Sequence, residues 1–104
     1  MFKCQFLDNK SLSEYAEGGA IEANNRSRIS ARECLFSRNF SREGGGVFLQ
    51  NDSVSVFESC IFSDNYALLD GGGMFADNYA AVSMVDCDFI RNIAVREGGA
   101  INFE

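Results

Sequence analysis

The sequence contains no histidine, no tryptophan and no proline. Losing histidine removes the commonest general base and metal ligand, which counts against many enzyme classes. Without proline, and with 10 Gly, the chain must turn its corners on glycine and asparagine. No apolar run approaches the ~20 residues needed to span a bilayer, so direct membrane insertion by this segment is not expected. The N-terminal stretch MFKCQFLDNK has a lysine but no apolar core of signal-peptide length. That leaves a cytosolic protein or a piece of a longer secreted one. Positive charge is scarce: 9 Lys+Arg against 15 Asp+Glu give a net charge of −6. Such a surface has no electrostatic footprint for nucleic acid or anionic lipid. No C-x-x-C occurs, and a zinc site would have to gather all four cysteines from distant positions. Apolar residues nowhere recur at helical spacing over eleven or more positions.

What is present is a repeat. The 104 residues, 46% of them apolar, suffice for one modest domain. C-x-F-x-x-N occurs four times, as CQFLDN (Cys4–Asn9), CLFSRN (Cys34–Asn39), CIFSDN (Cys60–Asn65) and CDFIRN (Cys87–Asn92). An acid–glycine motif alternates with it, as EGGAI from Glu17, EGGGV from Glu43, DGGGM from Asp70 and EGGAI from Glu97. A further Asn stands ahead of each later Cys, at Asn25, Asn51 and Asn78. The first copy carries a short insertion within KSLSEYA, where LSEYAE is expected to form one helical turn in a loop.

Each period resolves into three strand-like pieces. One follows the glycines (IEA, VFL, MFA, INF), one precedes the Cys (RISA, VSVF, VSMV), and the third is C-x-F itself. In the second piece the best ungapped register turns Ile29/Ala31, Ser55/Phe57 and Val82/Met84 inward. Ser55 fits poorly there, and a one-residue slip would instead bury Val54 and Val56. Identical residues recurring once per period predict one coil per period, each stacked in parallel on the last at ~4.8 Å. The expected fold is all-β: a right-handed, single-stranded parallel β-helix of about four turns, one repeat array over 1–104, taken as a segment of a longer protein. Right-handedness is the general preference of parallel connections.

Stacking assigns columns. Phe6, Phe36, Phe62 and Phe89 make an inner aromatic stack beside Cys4, Cys34, Cys60 and Cys87. Asn9, Asn39, Asn65 and Asn92 make an amide ladder. Asp8, Arg38, Asp64 and Arg91 alternate in sign along the axis, supporting the stack weakly. Open strand edges at both ends predict end-to-end stacking or self-association of the isolated segment.

At these residues the sequence resembles the repeats of the chlamydial polymorphic membrane proteins, marked by F-x-x-N and G-G-A-[ILV]. All four F-x-x-N copies are present, and Gly18–Ile21 and Gly98–Ile101 match the second motif. Gly44–Val47 and Gly71–Met74 depart from it by Gly for Ala, the latter also by its final Met. The resemblance implies a right-handed β-helical passenger of an autotransporter, with an extracellular or outer-membrane location. It also implies adhesion to host cells through a protein or glycan ligand.

No residue is assigned a catalytic, cofactor-binding or metal-ligating role. Several columns nonetheless carry chemistry. The acids Glu17, Glu43, Asp70 and Glu97 would repel one another, which calcium or the adjacent Arg42 and Arg96 could relieve. The cysteines could form disulfides, but parallel stacking holds their Cβ atoms wider than a relaxed bridge, favouring buried thiols. Sequons at Asn9, Asn25, Asn39 and Asn51 read as chance matches in a serine-rich chain. A polysaccharide lyase or hydrolase is the rival class, and Asp86 with Asp88 is its only close acid pair. Outward Phe48 with Phe75, and Leu35 with Ile61, offer apolar contact patches for an adhesin. A purely structural spacer is the third reading.

Overall fold

The computed structural model describes residues 1–11, 18–77 and 79–104. A partial first turn holds β1 (Gln5–Leu7). The first complete turn holds β2 (Ile21–Ala23), β3 (Arg28–Arg32), β4 (Leu35–Ser37) and β5 (Phe40–Ser41). The second holds β6 (Val47–Leu49), β7 (Val54–Glu58), β8 (Ile61–Ser63) and β9 (Tyr66–Ala67). The third holds β10 (Met74–Ala76), β11 (Ala81–Val85), β12 (Asp88–Ile90) and β13 (Ile93–Ala94), after which β14 (Ile101–Phe103) opens another. Strands one turn apart pair in parallel and build four sheets, ordered β14-β10-β6-β2, β11-β7-β3, β1-β4-β8-β12 and β13-β9-β5. The chain is a parallel β-helix of three complete turns rather than the expected four, because four motif copies enclose only three intervals.

Each turn has a fourth strand that the sequence did not announce. β5, β9 and β13 are two residues long, too short to register as alternation. They form because the residue ahead of each ladder Asn is left-handed: Asp8, Arg38, Asp64 and Arg91 have φ of 57°, 55°, 57° and 51°. One such residue bends the chain sharply, and the next peptide resumes pairing: Tyr66 N–H donates to Asn39 O at 2.9 Å. Further left-handed residues make the other corners: Asn25–Arg26 and Asn51–Asp52 ahead of β3 and β7, and Glu33, Ser59 and Asp86 just before the cysteines. A non-glycine residue there costs roughly 1 kcal/mol, which the inter-turn bonds must outweigh.

The core is columnar. Consecutive rings of Phe6, Phe36, Phe62 and Phe89 lie 4.9, 4.7 and 4.5 Å apart and within 5° of parallel. Phe57 meets Phe36 and Phe62 edge-on, at 6.0 and 5.4 Å. This fixes the disputed register: Ile29, Ser55 and Val82 align, as do Ala31, Phe57 and Met84, without a gap. Ser55 is buried with no partner for its hydroxyl among the described residues, and Val54 is left exposed. A slip would relieve that hydroxyl and bury Val54 and Val56, but it would expel Phe57 from its edge contacts with Phe36 and Phe62 and break the five-residue ungapped pairing of β7 with both β3 and β11.

The asparagine ladder forms as the sequence predicts. Nδ2 of Asn9, Asn39 and Asn65 donates to Oδ1 of the Asn one turn on, at 2.9, 3.0 and 2.9 Å. The same oxygens accept the backbone N–H of Asn9, Asn39 and Asn65 at 3.0–3.1 Å. The second Nδ2 hydrogen of Asn39 and of Asn65 turns back to Phe6 O and Phe36 O, each at 3.0 Å. Asn39 and Asn65 are buried and fully bonded. Replacing Asn65 by Ala would orphan buried groups on both neighbouring turns, so urea unfolding should show a loss of about 3–5 kcal/mol. Asn9→Ala, at the exposed end, should cost only about 1 kcal/mol in the same measurement.

Candidate functional site

The acid–glycine corner is where charge, burial and backbone strain meet. Gly44, Gly71 and Gly98 adopt φ of 62°, 68° and 64°. A Cβ on Gly71 would stand 2.4 Å from Met74 O and 2.8 Å from Phe75 Cβ. The left-handed glycine thus folds the preceding chain back over the outer side of the first sheet. That corrects the expectation of a Phe48/Phe75 contact patch. The two rings do stack, at 5.1 Å and 2°, but they are 1% and 2% exposed beneath this fold-back. Of the other expected patch, Leu35 is half-buried and Ile61 is exposed.

The acid column is not a row of equivalent carboxylates. Asp70 is 1% exposed, and Arg96 from the next turn takes both of its oxygens, with Nε–Oδ1 at 3.0 Å and Nη2–Oδ2 at 2.5 Å. Glu43 is partly buried, with Arg42 Nη1 no nearer than 3.9 Å. Burial pushes its carboxyl above the usual range, and the charges of Asp70 and Glu104 push the same way against Arg42 and Arg96. Glu97 is exposed, and Glu17 lies outside the described residues. Among the described residues no group of three or more His, Cys, Asp or Glu is placed to hold a metal ion.

The alternating column resolves into two separate pairs. Arg38 grips Asp8 and Arg91 grips Asp64, each through Nε at 2.8 Å and Nη2 at 3.2 Å. These bonds hold the Asp8 and Asp64 carboxyls below the ordinary carboxylate range. The four cysteines are free thiols. Cys34 and Cys60 are buried, and Cys60 Sγ lies 3.4 Å from Glu58 O and 3.5 Å from Ala31 O. Desolvation raises the Cys60 thiol, which disfavours the reactive thiolate form. Asp86 and Asp88 are both exposed, one at a left-handed corner and the other on β12. Of the sequon asparagines, Asn39 is buried and Asn25 exposed. Asn78 and the LSEYAE segment lie outside the described residues.

A lateral apolar stripe escaped the sequence reading. Phe40, Tyr66 and Ile93 each follow a ladder Asn and stack in register on the outer side of the fourth sheet. The Phe40 and Tyr66 rings lie 5.4 Å apart, 8° from parallel. Leu68 and Val95 extend this face, and with Ile93 they are 46%, 63% and 55% exposed. The signal was available: an aromatic or aliphatic residue directly after three of the four motif asparagines, against Lys10 in the first copy. Among the described residues no helix is long and apolar enough to cross a membrane.

Two outcomes follow from the corner. Arg96→Ala would take both hydrogen-bond donors from the Asp70 carboxylate, and urea unfolding should show a lower midpoint than the wild type. Glu43 works in the opposite sense, because its folded pKa lies above its unfolded one. Its contribution is fully present below the ordinary glutamate value of about 4.3 and is lost as pH rises through the raised folded value. Glu43→Gln should therefore melt above the wild type at pH 7, with the gap closing near pH 4. Asp8 and Asp64, whose carboxyls are lowered, contribute above the ordinary aspartate value and lose that contribution as pH falls through their folded values.

Comparison with known proteins agrees with this geometry. No curated protein and no solved structure matches the chain significantly. A family model described as the right-handed β-helix region matches residues 2–104. With nearly the whole chain matched, and its strands stacked in parallel turn on turn, the chain belongs to the right-handed β-helix family.

Proposed function

We propose that this segment is a non-catalytic binding scaffold: part of the β-helical passenger of a surface-exposed or secreted, autotransporter-like outer-membrane protein. Its location is extracellular or on the outer membrane, and its partner is a protein or glycan of a host cell or other surface. The observation that carries this reading is the lateral stripe of Phe40, Tyr66, Leu68, Ile93 and Val95. Exposed apolar side chains aligned on one face are costly in water unless something docks there. The F-x-x-N and G-G-A-[ILV] repeats support the passenger assignment through their resemblance to the chlamydial surface proteins.

A scaffold also accounts for how the polar side chains are used. The ladder asparagines bond along the axis, Arg38, Arg91 and Arg96 are committed to Asp8, Asp64 and Asp70, and the thiols face carbonyl oxygens. The corner acids Glu43, Asp70 and Glu97 recur once per turn by structural position, whereas glycoside chemistry needs two carboxylates converging on one bond. The test uses Leu68→Ser and Val95→Ser in the labelled protein, applied to host-cell and glycan-coated surfaces. Surface binding should fall at least about tenfold, the order of burying a few side chains, with the circular dichroism spectrum unchanged. Binding that ignores both substitutions would favour the spacer. Depolymerisation of an acidic polysaccharide by the protein would favour the lyase or hydrolase.

A further inference from the structure

The thiols repeat as regularly as the rings beside them. Sγ of Cys34 and of Cys60 lies 3.4 Å from the carbonyl oxygen two residues earlier, that of Arg32 and of Glu58. Cys4 and Cys87 make the same contact at 3.5 Å, to Phe2 O and Val85 O. Cys60 and Cys87 also reach the turn before in the same way, to Ala31 O at 3.5 Å and to Phe57 O at 3.3 Å. The four side chains thus hold one rotamer, and successive sulfurs are separated by the rise of one turn. The phenylalanines measure that rise: the rings of Phe36 and Phe62, on the turns that carry Cys34 and Cys60, are 4.7 Å apart.

We propose that Cys34 and Cys60 form a binding site for a soft, two-coordinate monovalent cation of the Cu(I) type, held in line between the sulfurs of adjacent turns.

The spacing fits such an ion. A metal–thiolate bond of about 2.3 Å makes a linear sulfur–metal–sulfur unit about 4.6 Å long. A disulfide needs its sulfurs about 2 Å apart and would pull both side chains out of the shared rotamer. Coordination number points the same way. Structural zinc takes four ligands in a tetrahedron, and among the described residues no group of three or more His, Cys, Asp or Glu is placed to hold a metal. Thiolates are the donors that Cu(I) selects. Cys34 and Cys60 are buried within the apolar cluster, where water does not compete for the ion.

Binding balances without electron transfer. Each thiol releases its proton to solvent, and two metal–sulfur bonds replace two S–H bonds. The unit carries one net negative charge, and its metal–sulfur bonds must outweigh the desolvation of that charge. Losing the S–H groups orphans neither near carbonyl, because Arg32 O and Glu58 O already accept the N–H of Lys3 and Glu33 at 3.0 and 2.9 Å. A buried pair is reached only when a turn opens locally, so loading is fastest when the ion is present during refolding.

Two double variants with equal numbers of thiols test the site. Cys4→Ala with Cys87→Ala keeps the adjacent pair, whereas Cys34→Ala with Cys60→Ala leaves two thiols that are not neighbours in the column. Each is refolded without oxygen in Cu(I) and titrated with a Cu(I) chelator. The first variant should hold one ion per chain, with X-ray absorption showing two sulfurs at about 2.2–2.3 Å and no third ligand. Its affinity should rise about a hundredfold per pH unit, as the release of two protons requires. The second should bind at least about tenfold more weakly. Circular dichroism checks folding, and Cys34→Val with Cys60→Val replaces the alanine pair if that variant unfolds. Equal affinity in the two variants would overturn the proposal. So would three sulfurs around the metal, an ion shared between two chains, or a wild type that holds Cu(I) no better than free cysteine does.

Discussion

Between one turn and the next, Asn39 and Asn65 each close two hydrogen bonds onto a single amide oxygen and send a third back to a phenylalanine carbonyl. This contact fixes the vertical register of the whole coil. With Asn39 above Asn9 and Asn65 above Asn39, every phenylalanine, cysteine and corner residue is delivered above its counterpart. A shift of one residue would bury unpaired amides at every rung and turn the inner side chains outward. Hydrophobic burial supplies most of the driving force, but it is non-directional. The amides select one arrangement among the many that would bury the same rings.

The constraint reaches the surface through the corners. A chain held at a fixed rise must bend within one or two residues, which places Asp8, Arg38, Asp64 and Arg91 in the left-handed region. Their side chains leave that bend along the axis, and this is what brings Arg38 to Asp8 and Arg91 to Asp64. The glycine corner works differently. Because only glycine fits so close to Met74 O, the chain can double back and shelter Phe48, Phe75 and Asp70 from solvent. The outer side of the first sheet becomes a second small core, and the exposed apolar face moves to the fourth sheet.

Much of this was legible because a stacked fold repeats its instructions. The phenylalanine, cysteine and asparagine columns could be read from spacing, whereas spacing left two registers open for β3, β7 and β11, of which the ungapped one forms. Three features were not. β5, β9 and β13 are too short to alternate, so their apolar residues looked like loop. The burial of Phe48 and Phe75 depends on where the fold-back lies, and strand alternation alone places those rings outside. Asp70 aligns with Glu43 and Glu97 in sequence but differs from both in burial, a difference set by Arg96 reaching across from the next turn. In each case the missing information was the path of the chain between strands.

The charge column has a consequence for the length of such an array. Arg38 belongs to Asp8 and Arg91 to Asp64, so the pairing unit spans two turns although the fold repeats every turn. Removing the middle turn would leave every sheet, ring stack and amide link continuous while setting Arg38 beside Arg91. Removing or duplicating two turns would keep the alternation of that column intact. Backbone and core tolerate any whole number of turns, whereas the surface charges count them in twos. The solenoid therefore carries a parity, which favours growth or shrinkage by pairs of repeats.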